Sequence, residues 1–486
     1  MADSADVIII GSGPNGLAAA IRLAQSERTV AVYEAASVAG GGARSAALTL
    51  PEFIHDPFAA VFPVAAASPF FRSLQLEDHG LNWIDPPALL AHPLDDGTAV
   101  MLYRSVEQTA AGLGSDGAVY LEMMQPLVAD AALLVQDLLA PPGAQRHPLA
   151  LARFGPHAVR SAAGFACSHF HADEARALLA GNAAHSFLPL DAPLTAGFAL
   201  FLAILGHAVG WPIAKGGAGN LGAALVSKLQ SLGGGVHVNH RVHTVSELPP
   251  AAAIFFDTDP RQIASIAGSH LSPRFRARLR RHRYGPGVFK IDYALDGPVP
   301  WVAAECLTAG TVHLGGSLEA IAASESNVTR RRHPDRPFVI VSQPSLFDAT
   351  RAPAGRHSLW AYCHVPAGST VDMTDRIEDQ IERFAPGFRD RILDRHIMTP
   401  RDLEAANANL AGGAINGGVQ DFRAYLGWAL ARPSPYATPN PALFRCSAAT
   451  PPGGGVHGMA GWHAAEYMLR QQRVKPGRKR AWGASV

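Results

Sequence analysis

Asp6-Val7-Ile8-Ile9-Ile10 runs directly into Gly11-Ser12-Gly13-Pro14-Asn15-Gly16, and the apolar run Thr29-Val30-Ala31-Val32-Tyr33 ends on Glu34. This reads as a strand, a glycine-rich turn, a helix and a second strand closed by an acid. Such an arrangement holds the ADP half of a dinucleotide. Gly11 permits the tight turn, Gly13 admits the backbone to the diphosphate, and Gly16 lets the helix pack close to the strand. Ser12, Pro14 and Asn15 complete the turn, and the free N–H groups and dipole of the helix start favour an anion there. Glu34, with Ala35 after it, stands where a carboxylate accepts hydrogen bonds from ribose hydroxyls. A lone GxGxxG is weak evidence in a chain with 47 glycines. The strand before it, the helix after it and the acid at the right distance make it specific.

A second turn, Gly40-Gly41-Gly42-Ala43-Arg44-Ser45, follows the ribose acid. It suits FAD, whose chain continues past the diphosphate to a flavin. A third cluster lies near the other end. Leu443-Phe444-Arg445-Cys446-Ser447-Ala448-Ala449 reads as a strand, Thr450 to Gly461 as a Pro/Gly loop, and Trp462 to Leu469 as a helix. Gly454, Gly455, Val456 and His457 then sit ahead of a helix N-terminus that stabilises negative charge on a reduced flavin ring.

These three segments together resemble the phytoene desaturase-like FAD oxidoreductases. The bacterial branch related to the pyridine nucleotide-disulphide oxidoreductase domain-containing proteins is the nearest in pattern. Leu50-Pro51-Glu52-Phe53-Ile54-His55-Asp56, Trp211 to Leu221 and Asn416-Gly417-Gly418-Val419-Gln420-Asp421 resemble further stretches of that family. The match is most specific over residues 6–56 and 444–466, and loose over 57–190 and 270–400. The resemblance implies an α/β fold of the glutathione-reductase/amine-oxidase type. A discontinuous Rossmann-like FAD-binding domain (residues 1–56, 211–269 and 400–472) would be joined to an α+β substrate domain (57–210 and 270–399), with a basic tail at 473–486. It also implies that the backbone of Val242 lies near the adenine, and that His55, Asp56 and His457 approach the flavin as candidate proton-transfer groups. For His55 and Asp56 the alternative is a strand cap, and for His457 a hydrogen bond to its own loop. Where the family carries small residues after His-Asp, this chain has Phe58, which narrows the space over the ring and speaks against a long carotenoid.

The remaining sequence limits the reading. Forty-one basic against 40 acidic residues give no field for nucleic acid. Four scattered cysteines (Cys167, Cys306, Cys363, Cys446) form no CxxC, so a redox dithiol is not expected. Free, buried thiols in a reducing, cytoplasmic setting are the expectation, and no metal site is expected. The first strand begins at Asp6 with no basic stretch before it, so no secretory leader is expected. Leu194 to Ile213 is free of charge and reads as a buried or tunnel-lining helix, with peripheral membrane contact as the alternative. The basic tail reads as solvated, with weak attraction to anionic lipid as its alternative.

Gly217-Ala218-Gly219-Asn220-Leu221-Gly222 also fits GxGxxG, but no strand precedes it and Arg241 stands where a ribose acid belongs. Without a second nucleotide site, the electrons leave to oxygen, a quinone or another acceptor. The expected activity is hydride transfer from an apolar or amphipathic small molecule, polyene-like or another hydrophobic metabolite, to FAD. Amine oxidation, double-bond isomerisation by reduced flavin, and a non-catalytic binding module of the Rab GDP-dissociation-inhibitor type stay open as alternatives.

Overall fold

The computed structural model describes residues 5–431 and 433–474. Its first sheet has five parallel strands in the order Leu443–Arg445, Ala253–Phe256, Val7–Ile10, Val30–Tyr33 and Gly235–His237. Each central strand is a short run of β-branched and aromatic residues buried on both faces, as a parallel sheet covered on both sides requires. The register sets Ile10 against Tyr33 on one side and Phe256 on the other. The carboxyl ends of the strands therefore finish level, at the edge where an open α/β sheet binds its ligand.

The helix Pro14–Ala24 leaves the glycine turn with proline at its start, where the missing N–H is an orphan in any case. It is wedged between the helices Gly219–Ser231 and Met459–Val474. A Cβ on Gly461 would fall inside the Asn15 carbonyl, so glycine there sets the helix-to-helix distance.

The second sheet has seven strands in the order Ile392–Met398, Gly287–Leu295, His357–Val365, Val339–Ser342, Ala309–Leu314, Ala88–Pro93 and Ala99–Leu102. Only the pairing of Ala88–Pro93 with Ala309–Leu314 is parallel. One face packs Phe289, Ile291, Leu359, Ala361 and Cys363 against Ile377, Ile381 and Phe384 of the helix Thr374–Phe384. Asp372 opens that helix by accepting the Thr374 N–H at 2.8 Å. The other face is covered by the helices of residues 106–209, including Thr195–Val209. In that apolar helix Leu200, Ile204 and Leu205 are fully buried, each contributing about 1.5–3 kcal/mol on burial. Among the described residues no single helix is long and apolar enough to cross a membrane.

One expectation needs correction, and two expected domain boundaries are crossed by shared cores. Phe62, Phe70, Phe71, Leu74 and Leu81 share a core with Leu17 and Ile21 of the glycine-turn helix, across the expected boundary at residue 56. Leu271, Phe275 and Leu279 likewise pack with Ile8 and Phe256, past the expected boundary at 269. Apolar residues just beyond a sequence boundary dock on whichever core is adjacent, which composition alone does not reveal. Cys167 is exposed, whereas Cys306, Cys363 and Cys446 are buried, and all four are free. The expected basic tail lies outside the described residues from position 475 onward.

Candidate active site

The carboxyl edge of the five-stranded sheet opens into a cavity of about 220 Å³. Its wall brings together Gly11, Gly13, Glu34, Ala35, Gly41, Arg44 and Val242, residues taken from four separate stretches of the sequence. The two glycine turns are stitched together, since the Gly40 N–H donates to the Ser12 carbonyl at 3.1 Å. Gly41 abuts Gly13 so closely that an added Cβ would lie 2.6 Å from the Gly13 Cα. Gly11 (φ +96°) needs the left-handed region, and a Cβ there would also strike the Asp257 carbonyl.

Glu34 is held ready by the protein. One oxygen accepts from the Ser12 N–H at 2.9 Å and the Ser12 hydroxyl at 2.6 Å, and the other from the Ala36 N–H at 2.8 Å. A carboxylate has about four acceptor positions, so capacity remains for sugar hydroxyls. Arg44 turns back, with Nε donating to Gly41 O at 2.8 Å and Nη2 to Ala406 O at 3.1 Å, and its guanidinium lies 5.0 Å over the Phe58 ring. Gly42 has open space around its Cα.

The third glycine cluster packs on residues 416–420. A Cβ on Gly454 would approach Asn416 O to 2.9 Å, and one on Gly453 would strike the Gln420 amide at 2.7 Å. His457 spends both ring nitrogens on backbone: Nε2 faces Gly453 O at 3.2 Å and Nδ1 accepts the Met459 N–H at 3.0 Å. Burial lowers its pKa to about 4, so the ring is a neutral cap for the helix starting at Met459.

The other two proton-transfer candidates are equally committed. Asp56 accepts from Ser45 Oγ at 2.6 Å, the Ala218 N–H at 2.8 Å and the Arg351 guanidinium at 2.8 Å. His55 is driven to a pKa of about 3, first by burial and then by Lys290 and Arg351, and its Nε2 meets Thr49 Oγ1 at 2.7 Å. At 3.7 Å from Asp292, a neutral His55 forms a polar contact rather than an ion pair. The second GxGxxG is closed to nucleotides, because Ala218 and Gly219 give their N–H groups to Asp56 and Ser45.

Sequence reading missed four sets of groups. Asp257 lines the cavity and accepts the Gly16 N–H at 2.8 Å. Asn409 holds the strap of residues 405–409 over the same cavity, its amide donating to Asp257 O at 3.0 Å. In the seven-stranded sheet, Lys290 stands opposite Tyr362 and Met398, and Asp292 opposite Trp360 and His396. Lys290 and Asp292 are a buried ion pair. His364 is on the same face as Tyr362, two residues on, and its Nδ1 meets Glu325 at 2.8 Å, with both side chains buried. His364 Nε2 and Glu325 Oε1 have no protein partner. The clue was available: Lys290 and Asp292 alternate with apolar residues in the run 288–295, and Trp360, Tyr362 and His364 do so in 359–365, which marks a polar face.

That face meets an apolar cluster of Phe187, Val288, Met398 and Leu403, with Phe58, Tyr362, Leu410 and Ile415 packed on it. Phe187 adopts φ +59°, uncommon for a bulky residue, and its ring lies 3.9 Å from that of His364. Arg44 over Phe58 therefore links the dinucleotide cleft to the second domain's aromatic and polar face.

Comparison with known proteins agrees with this geometry. The NAD(P)-binding Rossmann-like domain family matches residues 9–74. The pyridine nucleotide-disulfide oxidoreductase domain-containing protein 2 of Rattus norvegicus is 24% identical over 547 residues, covering 96% of this chain and 93% of the relative. An oxidoreductase from Methanosarcina mazei has a similar structure, with a TM-score of 0.64, 15% identity and coverage of 96% of this chain and 99% of that one. Putrescine oxidase bound to putrescine superposes with a TM-score of 0.60 at 16% identity, covering 97% of this chain and 99% of that chain. The chain thus has a Rossmann-like dinucleotide-binding domain within a two-domain oxidoreductase fold, and is homologous to the pyridine nucleotide-disulfide oxidoreductase domain-containing proteins.

Proposed function

We propose that this protein is an FAD-dependent oxidoreductase that dehydrogenates an apolar or amphipathic small molecule. The observation that carries the reading is that Arg44, in the wall of the cleft, lies over Phe58, which packs on the apolar cluster. The cradle fits an ADP-bearing dinucleotide: its turns pack so closely that side chains at Gly13 and Gly41 would strike Asp257 and the Gly13 backbone, and acceptor capacity remains on Glu34. The helix start at Pro14 would hold the diphosphate, Glu34 the ribose, and the wall around Val242 the adenine. The second turn and the loop 453–457, ahead of the helix at Met459, would take the far half. Bound there, a flavin supplies a two-electron acceptor. The protein's part is to exclude water with the strap 405–409 and to present an apolar wall of Phe58, Phe187, Leu410 and Ile415. Such a wall suits a hydrophobic substrate held by area rather than by charge.

One observation favours a second reading, amine oxidation. Glu325 keeps one buried oxygen without a partner, close to the aromatic surroundings of His364, and carboxylate plus aromatic faces recognise ammonium groups. The test begins with the visible spectrum of the purified protein and of the supernatant after heat release. Flavin bands with intact FAD support the reading, and a colourless protein that refuses added FAD overturns it. Anaerobic bleaching by polyenes or other apolar compounds, against bleaching by amines alone, then separates the two substrate classes. Product two hydrogens lighter, rather than of unchanged mass, separates oxidation from isomerisation.

A further inference from the structure

Against the dinucleotide turn lies a carboxylate that diphosphate binding does not call for. Asp257 follows the strand Ala253–Phe256, and its N–H donates to Ile10 O at 2.8 Å, which sets it beside Gly11 at the carboxyl edge of the sheet. Its Oδ2 accepts the Gly16 N–H at 2.8 Å, and a Cβ on Gly13 would lie 2.5 Å from that same oxygen. The side chain is 5% exposed and forms part of the cavity wall. An acid thus already uses the helix start whose N–H groups and dipole would attract the diphosphate. Two anions sharing one desolvated site disfavour each other's charge.

We propose that Asp257 takes up a proton when a diphosphate-bearing dinucleotide binds, and that the neutral acid donates a hydrogen bond to the diphosphate. This rests on the dinucleotide reading of the cleft and is independent of the substrate. The proton comes from solvent and bonds to the carboxyl oxygen facing the ligand, while the other oxygen keeps accepting the Gly16 N–H. Uptake of a proton makes affinity fall as pH rises, because the ionised acid must first be neutralised.

The surroundings favour this course. Burial, and then the Glu34 carboxylate, push Asp257 up to about 7 against the opposing Gly16 and Gly13 N–H groups. Cys446, at the end of the neighbouring strand, has its thiol raised by burial and by Asp257. The other titratable or charged groups in the wall are Tyr33, Arg44, His240 and Arg241. Arg44 has hydrogen bonds to Gly41 O and Ala406 O, as described above.

Calorimetric titration of the apo-protein with FAD, and separately with ADP, from about pH 6 to about pH 9 tests the proposal, using two buffers of different protonation enthalpy. Above about pH 8 the wild type should take up close to one proton per ligand and lose about tenfold in affinity per pH unit. Asp257→Asn keeps an acceptor for the Gly16 N–H and gains a donor, so it should bind at high pH with the slope removed. His240→Gln, run in parallel, should leave the slope in place. Wild-type binding that is flat with pH and free of buffer-dependent heat overturns the proposal without any variant, as does an unchanged slope in Asp257→Asn. Failure of both FAD and ADP to bind at every pH removes the dinucleotide reading itself, and the proposal with it.

Discussion

Arg351 and Asp56 form an ion pair buried from both sides, Nη2 to Oδ2 at 2.8 Å, with each side chain 1% exposed. Around it converge Ser45 of the second glycine turn, the Ala218 N–H and the Ile54 carbonyl. The pair therefore locks the second domain onto the dinucleotide cleft. Asp56 thus spends its carboxylate on fastening these segments together.

Removing one partner of such a pair leaves an uncompensated buried charge, which costs about 3–5 kcal/mol. Arg351→Met should lower stability by that amount in chemical denaturation. The double variant Arg351→Met with Asp56→Asn should recover much of the loss, because no charge is then stranded. A single variant within about 1 kcal/mol of wild type would show that water reaches the pair.

Gly13 has φ −64°, a conformation any residue adopts, so its role is purely spatial. Gly13→Val should fold, yet lose FAD, because the added carbons meet Asp257 Oδ2 and force the turn and that carboxyl apart in the cavity wall. The readout is the flavin absorbance ratio of the purified variant beside a normal thermal transition. Wild-type flavin content in that variant would remove the diphosphate from this turn.

The dinucleotide half was legible because its signals are local. Strand, glycine turn and acid lie within residues 7–34, where spacing alone reports geometry. The second half depends on register between strands far apart in sequence. Tyr362 faces Lys290 only because His357–Val365 pairs with Gly287–Leu295, and no short-range pattern encodes that pairing. Asp257 lies 241 positions from its partner Gly16, so no local spacing marks it as a site residue. His55, Asp56 and His457 drew notice by their motifs, but their chemistry is set by partners the motifs do not contain.

His55 and His185 are lowered to a pKa of about 3, and His92, His457 and His463 to about 4, with burial the first cause in each, although His185 and His463 keep part of their surface exposed. An unfolded chain binds protons on these rings near pH 6.5, whereas the folded chain binds them only well below. Stability is thus fully present above about pH 6.5 and falls as pH drops through the folded values, by up to about 1.4 kcal/mol per pH unit for each ring. Asp257 opposes this as a single group, because its raised pKa favours the fold at lower pH. Urea midpoints measured from about pH 7.5 down to about pH 4.5 should fall steeply below pH 6. A flat profile would mean that these rings are wet.

The last prediction concerns the pair His364 and Glu325. Glu325 Oε2 lies 2.8 Å from His364 Nδ1, a contact that an Nδ1–H donated to the carboxylate would satisfy, and Nε2 has no protein partner. Nitrogen-15 spectra of the labelled histidines, assigned with His364→Gln, should show the Nδ1–H tautomer. The two partners should also respond unequally to substitution. Glu325→Gln keeps the shape, keeps an acceptor and removes a buried charge, so its stability should stay within about 1 kcal/mol of wild type. His364→Leu strands the carboxylate without any partner and should cost about 3–5 kcal/mol. Equal losses from both substitutions would mean that the carboxyl is already protonated, and the ammonium-recognising reading of this corner would lose its negative charge.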